Sequence, residues 1–382
     1  FIRENRNRAV IIAVDTSFGL LRRHGIEPHF CLTVDPQVVN ARYFEGVDPG
    51  RTVLVTDPTS HPSAARLFGG RAVMCGMTFQ MMQWVEEVTG KKGEVAHGGS
   101  VSTNAFDFAK RLGVSQVVFV GQDLAFTGGL AHARGSYLDE QIAYRRDRFF
   151  TQCMANRRQL TALPPVFVPG IRSKRVQTNQ KMMIFLSWFE KRKDPILVNA
   201  TADGARMPGV RHVPMDEIVI HGPGGDIDTI IDALYDAARI PVERTGAMTA
   251  ELSDICTGSM EAIGELLPRL ERAVALSEDL CRIVGGGGRD QGKVDYILKR
   301  LSETDRFLES REMMRDMIGL TIQRVIHTIT EGYAVDDDEE GLPEDQRIAK
   351  RSLFLYRGLH EGAVFVERVL KKMNSVLGTP QG

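Results

Sequence analysis

The chain has 382 residues, more than one hydrophobic core usually supports, so two or three domains are expected. Its 48 basic and 49 acidic residues nearly cancel, and this balance gives no support for binding to nucleic acid or to a membrane surface. The five cysteines contain no C-x-x-C pair, which argues against a zinc site, and no apolar run approaches the roughly 20 residues that span a bilayer. We therefore expect a cytoplasmic protein with reduced cysteines.

From the start of the chain, short apolar runs alternate with segments of helix length. Predicted strands cover residues 8–14, 30–34, 52–56, 71–74, 117–120 and 196–199. This alternation is typical of βαβ units and predicts an α/β fold with a mostly parallel sheet and flanking helices. The run at 117–120 is continuously apolar, which indicates a strand buried on both faces.

Acidic residues follow four of these predicted strands, at Asp15, Asp35, Asp57 and Asp123. One interpretation is that each aspartate only caps the helix that follows its strand. The other is that they lie together in the crevice at the carboxyl ends of parallel strands, where open α/β sheets bind their ligands. Both interpretations remain open for any single aspartate, and for the set we expect at least one ligand-binding role.

The stretch from residue 98 to residue 135 contains several polar groups that could bind a ligand. Gly98, Gly99 and Ser100 precede a predicted helix with Ser102 or Thr103 as its N-cap. Amides and hydroxyls at the N-terminus of a helix can bind an anion. His132 follows in a glycine-rich loop, where an imidazole can exchange a proton near neutral pH or can stand on the surface without a role.

The pattern becomes helical from about residue 226 onwards. Residues 138–159 and 178–193 are also predicted as helices, but after Pro241 the helical pattern continues without strands. The segments 249–283, 294–330 and 346–377 are long and amphipathic, with the glycines at 285–288 as a flexible connection. We predict an α/β domain at 1–240 and an all-α helical bundle at 241–382 that binds a partner.

Three stretches resemble the motility-associated factor (Maf) family of bacterial flagellin glycosyltransferases and its MptE-like superfamily. They are VIIAVDTSFGLLRRHGIEPHFCLTVDPQ, GGSVSTNAFDFAKRLGVSQVVFVGQDLAFTGGLAHARG and PILVNATADGARMPGVRHVP, in the order that the family has them. The resemblance covers about residues 1–240, and GQDLA with the following histidine is its most specific part. The G-x-G-P-S-L-like turn that the family has before the first strand is absent here, so the resemblance implies further residues upstream that contact the nucleotide.

The resemblance implies a sialyltransferase-like fold and transfer of a nonulosonic acid, of the pseudaminic or legionaminic type, from a CMP-activated donor to Ser or Thr of flagellin. It implies that His132 and Asp123 are catalytic, and that one of them accepts the proton of the acceptor hydroxyl. The residues that it implies for binding the nucleotide sugar are Asp15, Thr16, Asp35, Gly98, Gly99, Ser100 and Gln122. It implies no metal ion and no cofactor, because the CMP-sugar is the substrate, and it names flagellin as the partner.

Two other functions stay open. One is a 6-hydroxymethylpterin diphosphokinase-like transferase, in which Asp35 and Asp123 would hold the Mg²⁺ of ATP. The absence of a G-x-x-x-x-G-K-[ST] loop lowers the expectation of an ordinary P-loop ATPase. The other is a flagellin-binding assembly factor that keeps the fold without turnover.

Overall fold

The computed structural model describes residues 1–76, 80–222, 224–286, 290–330 and 341–378. Two compact units divide the chain, residues 1–78 with 91–239 and residues 79–90 with 240–382. The segment 79–90 lies in the α/β domain of the sequence prediction, whereas in the structure it groups with the helical unit. The reason is its helix α4 (Gln80–Thr89), which packs against helices of the second unit.

The first unit begins with a four-stranded parallel sheet. Its strands lie in chain order and are β1 (Ile12–Val14), β2 (Phe30–Thr33), β3 (Val53–Thr56) and β4 (Ala72–Met74). The connecting helices are α1 (Asp15–Arg23), α2 (Val38–Ala41) and α3 (Ser63–Leu67). All four predicted strands are present, each shorter than predicted.

Alternate residues of this sheet enter two separate apolar clusters. Cys31 and Leu54 pack with Phe18 of α1, and Phe30 and Leu32 pack on the opposite face. Burial on both faces explains why these strands read as continuous apolar runs rather than as alternating ones.

The rest of the first unit holds a three-stranded parallel sheet and a hairpin. The sheet has the order β5 (Val117–Phe119), β8 (Leu197–Asn199) and β9 (Arg211–His212), and the antiparallel hairpin joins β6 (Pro165–Val168) to β7 (Val176–Asn179). Its helices are α5 (Val101–Arg111), α6 (Tyr137–Arg145), α7 (Gln152–Leu160), α8 (Gln180–Arg192) and α9 (Ile227–Ala238).

Two expectations are wrong in this region. β5 is only half-buried, because it is an end strand of its sheet in the described part of the chain. The single helix expected at 138–159 is broken into α6 and α7. Asp147 accepts hydrogen bonds from the amides of Phe149 and Phe150 at 2.7 Å, and such a local turn competes with helix.

The second unit is a bundle of helices around one large apolar cluster. With α4 it contains α10 (Val242–Gly285), α11 (Gln291–Glu309), α12 (Glu312–Thr321), α13 (Gln323–Thr330) and α14 (Glu344–Leu377). α10 and α14 pack along each other, and Gly362 lets α14 approach α12, because a Cβ there would lie 2.3 Å from the Thr321 hydroxyl. Of the predicted glycine connection, residues 287 and 288 lie outside the described residues.

The α/β region followed by an all-α region confirms the predicted fold class. None of the helices in the described residues is both long enough and apolar enough to cross a bilayer.

Candidate functional site

A cavity of about 1490 Å³ opens within the first unit between the wall of β1 and the wall of β5. From β1 the four-stranded sheet extends outward to β4, and from β5 the other sheet extends outward to β9. The carboxyl ends of parallel strands are where open α/β sheets bind ligands. The strand residues give the cavity an apolar wall, and its polar wall lies at their carboxyl ends.

Asp15 lies on this polar wall, where β1 passes directly into α1. The side chain is buried, with 3% exposed, and its Oδ1 accepts a 2.7 Å hydrogen bond from the Thr16 amide. The Thr33 hydroxyl at the end of β2 donates to Oδ2 at 3.0 Å. Burial raises the pKa of Asp15 to about 6, against the two hydrogen bonds that lower it. Thr16 also lines the cavity and is exposed there.

The N-terminus of α5 forms a second part of the wall. Ser100 is its N-cap, and its hydroxyl accepts from the Ser102 amide at 3.4 Å and lies 3.0 Å from the Ser102 hydroxyl. The prediction of Ser102 or Thr103 as the cap is therefore wrong by two or three residues. Gly99 adopts a φ of +86°, which turns the chain into the helix one residue after Gly98. Ser100, Val101 and Ser102 line the cavity, so the positive end of the helix dipole faces it.

Gln122 and Asp123 follow β5 and complete the carboxyl-end wall. The Gln122 backbone amide donates to the Thr201 hydroxyl at 2.9 Å, so this amide already has a partner within the protein. Burial raises the pKa of Asp123, a hydrogen bond with Thr127 lowers it, and the charge of Asp203 raises it.

The backbone at Asp123 is held in an unusual conformation. Leu124 has a φ of +47°, a strained value for a bulky residue. Gly204 lies so close that a Cβ there would meet the Asp123 carbonyl oxygen at 2.5 Å, and the neighbouring Ala205 amide donates to that oxygen at 2.7 Å. The turn at 200–205 therefore approaches the backbone of Asp123 closely.

His132 lies in the loop between β5 and α6 and lines the cavity. Burial lowers its pKa, while a hydrogen bond with Gln159 and the charge of Asp139 raise it. The loop is attached on both sides of His132. The Ala131 amide donates to Asn156 Oδ1 at 3.2 Å, and the Gly135 amide donates to Asp139 Oδ2 at 2.8 Å. These two hydrogen bonds hold the loop to α7 and α6, although it contains glycines at 128, 129 and 135.

Three of the predicted site residues do not line the cavity. Asp35 is absent from the cavity wall, and its Oδ1 accepts from the Gln37 amide at 2.8 Å, as in a local turn. The Gly98 amide donates to the Thr103 hydroxyl at 3.0 Å, and Gly99 packs against the Phe185 ring. Neither glycine lines the cavity.

The wall also contains an aromatic pair that was not predicted from the sequence. The rings of Tyr43 and Tyr137 pack edge to face at 5.6 Å, and both line the cavity. Burial raises the pKa of Tyr43 to about 12. No sequence signal singles out these tyrosines, because scattered aromatic residues are more often core. Among the described residues, no group of three or more His, Cys, Asp or Glu side chains lies close enough together to hold a metal ion.

Comparison with known proteins finds one similar family model, one similar solved structure and one similar sequence. Residues 1–129 match a family model described as 6-hydroxymethylpterin diphosphokinase MptE-like. The solved structure of a Maf glycosyltransferase from Magnetospirillum magneticum AMB-1 is similar over 100% of this chain and 54% of its own, with a TM-score of 0.57 and 15% identity. An uncharacterized protein of Treponema pallidum is 26% identical over 136 residues, which are 32% of this chain and 35% of that protein.

The resemblance to the Maf and MptE-like proteins, predicted from the sequence, is confirmed by the family match and by the structural likeness. At 15% identity the structural likeness establishes a shared fold. The chain spans about half the length of the solved glycosyltransferase and about a third of the Treponema protein.

Proposed function

We propose that the first unit is the donor-binding part of a glycosyltransferase. The observation that carries the proposal is that one cavity at the carboxyl ends of β1 and β5 collects Asp15, the N-terminus of α5, Gln122, Asp123 and His132. The similar solved structure is that of a glycosyltransferase. The Maf resemblance adds the finer proposal of a nonulosonic acid transferred from its CMP-activated form to flagellin in the cytoplasm, for flagellum assembly and motility.

The phosphate of such a donor fits the start of α5. The amides of the first helical turn and the Ser100 hydroxyl can bind its oxygens, and the helix dipole favours the charge that develops as CMP leaves. Asp15 and Thr16 lie on the adjacent wall, and in this proposal they bind hydroxyl groups of the nucleotide or the sugar. Binding at both walls would hold the anomeric carbon in the cavity between them.

Transfer also requires a base. The acceptor hydroxyl oxygen attacks the anomeric carbon, the bond from that carbon to the phosphate oxygen breaks, and CMP leaves with the electron pair. The proton of the hydroxyl goes to a side chain in the cavity. His132 suits this role because burial lowers its pKa, so that the imidazole is neutral at neutral pH. Asp123 is the other base that the cavity offers.

The family model that matches residues 1–129 favours a second candidate, a pterin diphosphokinase-like transferase that uses ATP and Mg²⁺. It is less well supported by the site, because Asp35, one of its two expected metal ligands, does not line the cavity. A flagellin-binding factor without turnover is the third candidate.

The intact mass of flagellin from cells with and without this gene tests the transferase. We expect the mass to fall by the nonulosonic acid in the deletion strain and to return with the unaltered gene. The variant His132→Gln should slow modification by about 10²- to 10⁴-fold, the usual effect of losing one positioned acid–base group. The control is His24→Gln, a change at an exposed histidine outside the cavity wall, which should restore modification fully. A flagellin mass that is the same with and without the gene would exclude the proposal.

Nucleotide binding by the full chain separates the first two candidates. We expect CMP to raise the melting temperature without magnesium, and we expect the same shift in His132→Gln, since the base is not needed for binding. Stabilisation by ATP that requires Mg²⁺, together with none by CMP, would favour the diphosphokinase.

A further inference from the structure

The segment 130–175 is strongly basic, although the chain as a whole is nearly neutral. It contains nine Lys or Arg residues against three Asp or Glu residues, a net charge of plus six, whereas the whole chain has a net charge of −1. We name this segment's outer side the basic surface. Its nine cations are Arg134, Arg145, Arg146, Arg148, Arg157, Arg158, Arg172, Lys174 and Arg175.

The cations of the basic surface are available to a partner. All nine are exposed, and within the described residues none of them forms an ion pair. The carboxylates of the same segment are occupied elsewhere. Asp139 accepts from the Gly135 amide, Glu140 pairs with Arg23, and Asp147 accepts from the amides at 149 and 150.

Large apolar groups are exposed among these charges. Tyr144 is 83% exposed and Phe149 is 71% exposed, and Phe167 on β6 is also exposed. Guanidinium groups lie over two of the rings, Arg148 over Phe149 at 4.6 Å and Arg175 over Phe167 at 5.6 Å. Exposed aromatic rings grouped with charges mark an interaction surface rather than an ordinary solvated helix face.

Hydrogen bonds join the pieces of the basic surface. The Gln152 amide at the start of α7 donates to Asp139 of α6, and the Gln177 side chain of β7 donates to the Leu160 carbonyl at the end of α7 at 3.0 Å. The two helices and the hairpin therefore form one connected surface.

The composition fits a polypeptide partner. Eight of the nine cations are arginine, and they stand with Tyr, Phe and Met154, which are the residue types enriched at the centres of protein–protein interfaces. A guanidinium binds a carboxylate through two parallel hydrogen bonds. Single-stranded nucleic acid is the alternative polyanion, because it binds through phosphate contacts and base stacking, and the test below includes it.

The same segment reaches the cavity with its other side. Ala131, His132, Tyr137 and Leu138 line the cavity, while the cations of α6 and of the following turn are exposed. A chain bound on the basic surface therefore runs beside the side chain that we propose as the base.

We propose that the basic surface binds an acidic polypeptide and presents its hydroxyl side chains to the cavity. This inference rests on the proposed glycosyltransferase function, because it assigns the acceptor's docking site. The recognised chemistry is a stretch that contains Asp or Glu, an aromatic or aliphatic residue, and Ser or Thr.

Fluorescence anisotropy of the full chain tests the docking site without any donor. The probe is a fluorescein-labelled peptide of Asp, Ser, Gly and Phe, compared with the same peptide in which Asn replaces Asp. We expect the Asn peptide to bind at least about tenfold more weakly, and the difference to shrink as salt rises. Because no sugar is transferred in this assay, His132→Gln should bind the acidic peptide as the unaltered chain does.

Charge-reversed variants locate the binding. The triple variant Arg145→Glu, Arg148→Glu, Arg158→Glu should weaken binding of the acidic peptide at least about tenfold, and the neutral triple variant with Gln should weaken it less. The control carries the same charge change at three exposed arginines elsewhere, Arg66→Glu, Arg239→Glu and Arg272→Glu, and should bind normally.

Three outcomes would overturn this inference. They are equal binding of the two peptides, equal loss in the control variant, and tighter binding of a single-stranded oligo-dT that is lost in the Arg145, Arg148, Arg158 variant. The last would assign the surface to nucleic acid. If peptide binding behaves as expected while the flagellin mass does not depend on the gene, the docking site stands and the transferase fails.

Discussion

At the scale of single residues, the cavity holds ionisable groups that burial pushes toward their neutral forms. The pKa of Asp15 is raised to about 6, the pKa of Asp123 is raised, and the pKa of His132 is lowered. A buried carboxylate costs stability unless its partners offset desolvation, and the hydrogen-bond partners of Asp15 within the described residues are the Thr16 amide and the Thr33 hydroxyl. Sites that bind ligands often retain such a cost because the ligand uses the charge.

Asp15→Asn should therefore stabilise the folded protein while it weakens donor binding. The raised pKa means that the folded state holds the proton more tightly than the unfolded state, so stability falls as pH rises from about 4 to about 6 and stays lower above that. At about pH 7 the Asn variant should be more stable by about 3 kcal/mol, and the difference should vanish near about pH 4. Urea unfolding read by Trp188 fluorescence, with Trp84 replaced by Phe in every protein, measures it.

Thr33→Val serves as the matched control for this prediction. In the unaltered chain, the hydrogen bond from Thr33 to Asp15 Oδ2 lowers the pKa of Asp15. Thr33→Val removes this bond and should raise the pKa of Asp15 further, so the fall in stability should extend to higher pH. An Asn variant that is less stable than the unaltered chain at about pH 7, with an unchanged pH profile, would contradict the assignment.

At the scale of elements, local patterns predicted most strands and helices, and side-chain hydrogen bonds decided what they missed. The strands β1 to β4 were predicted from continuous apolar runs, because burial on both faces leaves that signature. The break between α6 and α7 depends on Asp147 bonding to two amides, and the start of α8 depends on Asn179 accepting from the Met182 amide at 2.9 Å. Short polar residues can do this or stand free, so their presence alone does not set a boundary.

The sequence predicted which residues follow the strands, and this was enough to predict part of the candidate site. Asp15, Ser100, Gln122, Asp123 and His132 were expected near one crevice, and all five line the cavity. Asp35 has the same sequence context as Asp15, yet its turn directs the carboxylate to the Gln37 amide. That difference depends on local backbone geometry, which the identity of the residue after a strand does not specify.

At the scale of the whole molecule, charge totals conceal charge placement. The net charge of the whole chain is near zero because acidic residues elsewhere offset the surplus of cations in the segment 130–175. A near-zero net charge therefore does not exclude a strongly basic local surface. Averages over 382 residues describe solubility and long-range attraction, and they do not describe a local surface.

Charge placement also joins the ends of the first unit. Arg6, before β1, binds Asp228 of α9 through two hydrogen bonds of 2.5 and 2.8 Å, although the two residues are 222 positions apart. Asp232, one turn further along α9, pairs with Arg51 and Arg71, which precede β3 and β4. His29, before β2, is buried 3.8 Å from Asp228 and burial lowers its pKa to about 4, so it is neutral there. These pairs hold α9 at the amino ends of the strands, opposite the carboxyl ends that form the polar wall of the cavity.

Asp228→Asn should consequently loosen the first unit without altering the site directly. The side chains of Arg6 and Asp228 are each only 20% exposed, so the variant loses a charge-assisted pair and leaves a poorly solvated guanidinium. The expected cost is about 1.5–3 kcal/mol at neutral pH.

The contribution of this pair depends on pH. The hydrogen bond from Arg6 lowers the pKa of Asp228, so the pair stabilises the fold above the pKa that this carboxyl has in the unfolded chain. The stabilisation is lost as pH falls through the lower pKa of the folded state. Hydrogen exchange of the β1, β2 and β3 amides should therefore quicken in the variant at neutral pH and converge with the unaltered chain in acid. Asp236→Asn, the same change at an exposed position of α9, should leave that exchange unaltered. If both variants exchange alike at neutral pH, the Arg6–Asp228 pair contributes nothing measurable, and the pairs of Asp232 with the packing of Ile231 hold α9 to the sheet.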